Sequence, residues 1–156
     1  MPLATEDQAA KSYDQEGFAG SIRLMLEKIL DELGAHRLSH TGKTLKDHLI
    51  GTFNLLQSWG CNLHVCTAGM FHSIYGTNAF GVSCLDNEHR NRLCGLIGER
   101  AERLVYLFSV SHRPQAFLEC IEDKRIVNRF SGEISMVSEE ELRDLLAIEC
   151  ANLIEQ

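Results

Sequence analysis

The stretch from His40 to Asn78, HTGKTLKDHLIGTFNLLQSWGCNLHVCTAGMFHSIYGTN, restricts the fold more than any other part of the chain. Its apolar residues recur at helical spacing. Leu45, Leu49, Thr52, Phe53, Leu56 and Trp59 form one inward stripe, and Val65, Ala68, Gly69 and His72 form a second. His48 lies three residues after Leu45 and four before Thr52, so it shares the buried face. Gly60-Cys61-Asn62 is a short connection with Asn62 as an N-cap, which makes the two helices antiparallel neighbours. Gly69 has no side chain and allows a close approach. Two inward histidines are therefore expected to face each other across a packed seam.

The rest of the chain extends the helical reading. Residues 1–16 are polar and lack an apolar period, so they are expected to form a flexible N-terminal segment ahead of a single domain over 17–156. A helix is predicted from about Phe18, with Ile22, Leu26, Ile29, Leu30 and Leu33 inward and Gly34 as its stop. Ala35 to Gly42 reads as a loop, the second central helix as ending near Tyr75, and Thr77 to Leu85 as a loop and the natural lid. Asp86 caps a helix to Ile97 with Leu93, Leu96 and Ile97 inward. Another passes through Ala101, Leu104, Val105 and Phe108, and Pro114 opens a shorter one through Phe117, Leu118 and Ile121. The period then changes: residues 125–130 and 133–137 flank Ser131-Gly132 as a two-residue hairpin. Ser138 to Glu141 is a capping box before a closing helix lined by Leu142, Leu145, Leu146, Ile148 and Leu153. The expected class is mostly α, a helical bundle with a small C-terminal β-hairpin.

Bulk properties narrow the partners. A chain of 156 residues can bury one core and is short for two. With a formal charge of -7 and dispersed Lys and Arg, an electrostatic nucleic-acid partner is excluded. No apolar run reaches the length of a membrane span. Six cysteines without a C-x-x-C pair, and no secretory h-region, lead to an expectation of reduced thiols in a cytoplasmic protein. The expected partner is a small molecule; the hairpin and closing helix also offer a surface for a homodimer.

The histidines carry the concentrated chemical signal. Neutral imidazoles of His40, His48 and His72 can together hold a divalent transition metal such as zinc, iron or manganese, with His64, His112 or water as a further ligand. The competing reading is a set of core histidines satisfied by buried backbone or hydroxyl groups. Lys43, with the first-turn amides of its helix, can meet an anion, although Gly42-Lys43-Thr44 lacks the first glycine of a phosphate-binding loop. Ser73, Tyr75, Thr77 and His112 complete a candidate substrate-binding set, against a helix-end role for Thr77 and Asn78. Ser73 and His72 diverge by about 100° on a helix, so they do not form a catalytic dyad. Arg92, Arg100, Arg103 and Arg113 alternate with Glu99 and Glu102 in the manner of a solvated helix.

These residues resemble the HD-domain superfamily, helical metal-dependent phosphohydrolases and related oxygenases, in layout nearest the alarmone hydrolase branch. That pattern sets a histidine on one helix, a His-Asp pair on a later one and a distal aspartate. Its counterparts here are Gly42 to His48, Ala68 to Ser73 and Ile97 to Val105. The chain also resembles an uncharacterised HD-like family marked by H-[ST]-G-x-T-L-x-D-H-L-x-G-T and A-G-x-F-H-S-x-Y-G-T, matched by His40 to Thr52 and Ala68 to Thr77. The resemblance implies an HD-like bundle with metal ligands at His48 and His72. Ser73 stands at the paired aspartate, and Ser109 to His112 stand where the distal aspartate is expected. Two functions follow as expectations. One is a degenerate His-lined pocket for a small, phosphorylated or nucleotide-like molecule. The other is a hydrolase or lyase whose metal is held by histidines in place of the usual set.

Overall fold

The computed structural model describes residues 20–40 and 42–156. The expected flexible segment 1–16 and the predicted helix start at Phe18 lie outside the described residues. Helix α1 covers residues 20–32 and is followed by a 3-10 turn at Ala35–Arg37. Two short antiparallel strands come next, β1 (Ser39–His40) and β2 (Lys43–Thr44), with His40 opposite Lys43. They replace the simple loop read from sequence and set His40 against the start of α2.

The central pair is α2 (Leu45–Ser58) and α3 (Leu63–Phe71). Thr44 and Asp47 close a capping box at the start of α2, so exposed Asp47 does local structural work in addition to meeting solvent. Leu45, His48, Leu49, Thr52, Phe53 and Leu56 all turn inward as their spacing demands. Trp59 does not; it is 45% exposed because the chain has already left the helix there. A Cβ on Gly69 would meet Leu56 Cδ1 at 2.2 Å, so α2 and α3 pack with side chain against bare backbone. Helix α3 ends at Phe71, short of Tyr75, and His72 is its C-cap.

Helices α4 (Arg90–Ile97), α5 (Glu99–Val110) and α6 (Gln115–Asp123) follow, with Leu93, Leu104, Val105, Phe108 and Phe117 buried. Leu96 is exposed instead of inward. Strands β3 (Arg125–Val127) and β4 (Ile134–Met136) form the C-terminal hairpin, with Arg125 opposite Met136 and Val127 opposite Ile134. The turn is longer than two residues, because the Asn128 carboxamide accepts from the amides of Phe130 and Ser131, and the Arg129 amide bonds out to Val110. Helix α7 (Glu139–Glu155) opens on the predicted Ser138–Glu141 capping box and packs against both α2 and α3. Leu142, Leu145, Ile148 and Ala151 line its buried face, while Leu153 is exposed. The fold is mostly α. No helix of the described residues is long and apolar enough to cross a membrane, and the six cysteines are all unpaired.

Candidate metal centre

Two helices and the closing helix bring three polar atoms to one buried point. His48 Nε2 lies 3.3 Å from His72 Nε2, and each lies 3.1 Å from Asn152 Oδ1. Both imidazoles are fully buried and Asn152 nearly so. Each ring is held from behind. His72 Nδ1 is 2.7 Å from the Gly69 carbonyl, which can only accept, so Nδ1 carries the proton and Nε2 presents a lone pair. His48 Nδ1 bonds the Glu155 carboxylate, with the same result at its Nε2. Lys43 Nζ in turn holds Glu155 through both its carboxylate and its carbonyl.

Glu155 has space because residue 51 is glycine: a Cβ there would lie 2.2 Å from its Oε1 and 2.6 Å from its Cδ. Thr52 hydroxyl donates to the His48 carbonyl one turn back. The segment His48 to Thr52 thus carries a donor ring, a gap for the group that orients that ring, and a hydroxyl on the same helix.

Electrostatics sharpen the problem. Burial pushes the His48 imidazole below its ordinary value despite Glu155, and pushes His72 down to about 3, with His48 beside it adding to the effect. Both rings are neutral at pH 7. Three lone pairs then face one another at hydrogen-bond range.

His40 joins this cluster in a different way. Its ring stacks on His48 with centroids 4.3 Å apart and 15° between planes, and meets Phe80 edge-on at 5.0 Å. A stacked imidazole keeps its nitrogens in a plane displaced from the one along which His48 Nε2 points. The three rings come together as expected, but the third converging atom is Asn152 Oδ1. Burial, then the neighbouring His48, lowers the His40 pKa.

A cavity of about 230 Å³ adjoins the centre, lined by His40, Ser73, Phe80, Arg113, Asn152 and Gln156 among others. Ser73 is therefore at the cavity, as read from sequence. The other expected substrate contacts are elsewhere or otherwise engaged. Lys43 is tied to Glu155. Tyr75 donates to Glu102, which also binds Arg90, and burial with that carboxylate raises its pKa. Thr77 accepts from Arg113 and from the Phe80 amide, so it closes a loop beyond the end of α3 in place of the helix-end role that competed in the sequence reading. His112 is exposed and lines a separate surface hollow with Gln115 and Glu119. His64 bonds Asp144 across a surface cleft and does not reach the centre.

Sequence reasoning missed five contributors. Arg113 and Glu102 were read as solvated, yet both are buried. Arg113 pairs with buried Glu149 at 2.5 Å and lies 4.2 Å over Phe108, whose ring edges onto His72. Asn152, Glu149 and Glu155 come from α7. The available signal was spacing: Ile148, Asn152 and Glu155 continue the stripe of Leu142 and Leu145, an odd place for polar groups.

A family described as Domain of unknown function (DUF6817) matches residues 29–113, more than half of the chain. The match spans His48, His72 and Arg113 but stops short of α7. No curated protein and no solved structure matches.

Proposed function

The chain belongs to the DUF6817 family. From the geometry of its buried centre we propose that it is a metal-dependent small-molecule pocket of HD-like layout, its ion held by His48, His72 and Asn152. One observation carries this reading: three lone pairs converge where burial disfavours the proton that would otherwise separate them. Donors bound to one ion at about 2.0–2.2 Å stand about 3.0–3.5 Å apart at octahedral or tetrahedral angles, and the separations here fall in that range. Two imidazoles and a carboxamide favour zinc or a neighbouring transition metal over hard, carboxylate-seeking cations. In the HD-like comparison, Asn152 takes the part of the distal aspartate from a later helix than expected, and Ser73 stands at the paired aspartate.

An ion held by His48, His72 and Asn152 would supply the activated water that hydrolase chemistry uses. The protein's own residues fit that use. His40 lines the cavity, and burial holds its pKa below the ordinary value. Glu155 and the Gly69 carbonyl keep the protons of the liganding rings on Nδ1. A second reading, a pocket that binds its ligand without catalysis, is favoured by Ser73 and Asn152 standing where carboxylates would be.

Metal analysis of untagged protein, dialysed after exposure to zinc, cobalt and manganese, tests the proposal. One retained ion per chain is expected, lost in His48→Ala and His72→Ala and kept in Asn152→Asp, which preserves an oxygen donor. If the carboxamide instead turns its Nδ2 towards both rings, the centre is satisfied by hydrogen bonds alone. No ion would then bind, Asn152→Asp would lower the Tm, and the proposal would fail. Hydrolysis of small phosphate and carboxylate esters by the loaded protein separates the enzyme from the binding pocket.

A further inference from the structure

We infer that the cavity takes a small oxyanion, a carboxylate or a phosphate, bridging the bound ion and the Arg113 guanidinium; this rests on the metal reading above. Among the described residues lining the cavity, Arg113 is the one cation and no carboxylate is present. Its side chain is 5% exposed, yet its Nε has no hydrogen-bond partner, while Nη1 is taken by Glu149 and Nη2 by Thr77. A buried donor left unmatched in a protein that otherwise pairs its polar groups marks a place where a ligand completes the set.

Charge points the same way. Glu149 is matched by Arg113 and Glu155 by Lys43, and the donors His48, His72 and Asn152 are neutral. A divalent ion would therefore keep its two positive charges uncompensated in a water-poor interior, a state that an entering anion relieves. Phe108 packs against both groups, its ring centroid 4.2 Å from the Arg113 guanidinium carbon and 5.1 Å from that of the His72 ring. Size excludes larger ligands. About 230 Å³ is below the roughly 300–1,000 Å³ of pockets that enclose drug-sized molecules, so an enclosed nucleotide does not fit.

Calorimetric titration of zinc-loaded and metal-free protein with inorganic phosphate, acetate, malonate and adenosine monophosphate tests this. Metal uptake is measured first, so that failure there falls on the metal reading alone. Phosphate or a carboxylate is expected to bind the loaded protein at least tenfold more tightly than the metal-free protein, and the better of the two names the ligand's source. Arg113→Lys is expected to weaken that binding at least tenfold while retaining zinc. Should the single variant fail to fold, the double variant Arg113→Met, Glu149→Leu removes both charges together and carries the same expectation. The inference is overturned if the loaded protein binds none of these anions or binds them equally without metal. It is also overturned if the variants bind them unchanged, or if the nucleotide binds more tightly than phosphate.

Discussion

Two places among the described residues gather metal-type donors, and they differ in burial and in how their donors are partnered. In the surface cleft, His64, Glu140 and Asp144 bring ligand atoms within 4.8 Å of one another. In the interior, His48, His72 and Asn152 bring theirs within 3.3 Å. The cleft solves its own electrostatics: His64 bonds Asp144, and Arg100 takes Glu140 at 2.5 Å in a largely exposed pair. In the interior, the partners Glu155 and Gly69 occupy the outer nitrogen of each ring and leave the inner lone pairs aimed at each other. Donor type does not make a site. What distinguishes the centre is that the partners of both rings, Glu155 and the Gly69 carbonyl, orient the inner nitrogens, while Gln156 Nε2 reaches Asn152 Oδ1 only at 3.3 Å.

The comparison can be broken most sharply by deleting donors. His48→Ala, His72→Ala or Asn152→Ala is expected to weaken zinc binding by roughly two orders of magnitude or more, whereas His64→Ala and Asp144→Ala leave it unchanged. Equal losses from both regions, read by competition with a chromogenic chelator, would erase the distinction. The paired glutamates come next. Glu149→Ala strands a buried guanidinium and is expected to cost about 3–5 kcal/mol, whereas Glu140→Ala, on the surface, costs at most about 1 kcal/mol. Urea denaturation measures both, and similar midpoints would show that the interior pair is solvated.

Glu155→Gln is smaller in effect and more specific. It keeps the shape, loses the carboxylate that fixes the His48 tautomer, and is expected to lower metal affinity about 10- to 100-fold with little change in Tm. A Tm loss without an affinity change would make Glu155 merely structural. Finally, pH acts on the interior in a definite direction. His72 titrates near 6.5 when unfolded and near 3 when folded, and His48 is lowered in the same sense. The unfolded chain therefore binds more protons between these values. The contribution to stability is whole above pH 6.5 and is lost as pH falls towards 3. The Tm of metal-free protein is expected to fall through that window, and His72→Gln is expected to flatten the slope; an unchanged slope would mean that His72 does not titrate in this way.

The helices were legible in the sequence wherever an apolar stripe met a turn signal. Leu45 to Leu56, Gly69 and the Ser138 capping box all read correctly, because each follows from local spacing or local bonding. Trp59, Leu96 and Leu153 read wrongly as inward, since a stripe continues on paper after the helix has ended or its neighbour has run out. The inward placement of His48 and His72 was legible for the same local reason. Asn152 and Glu155 were not, since they reach the centre only when α7 closes over α2, and nothing in a local window announces that docking. Arg113 was hidden because arginines alternating with Glu99 and Glu102 read as a solvated face unless Glu149, thirty-six positions on, is known to be waiting.

The central claim is that one ion belongs at the junction of α2, α3 and α7. Anomalous diffraction at the zinc edge, from crystals of zinc-equilibrated wild-type protein, tests it in one step. The expected result is a single strong peak within bonding distance of His48 Nε2, His72 Nε2 and Asn152 Oδ1. A peak confined to the His64 cleft, or none with those three atoms still in contact, would contradict it.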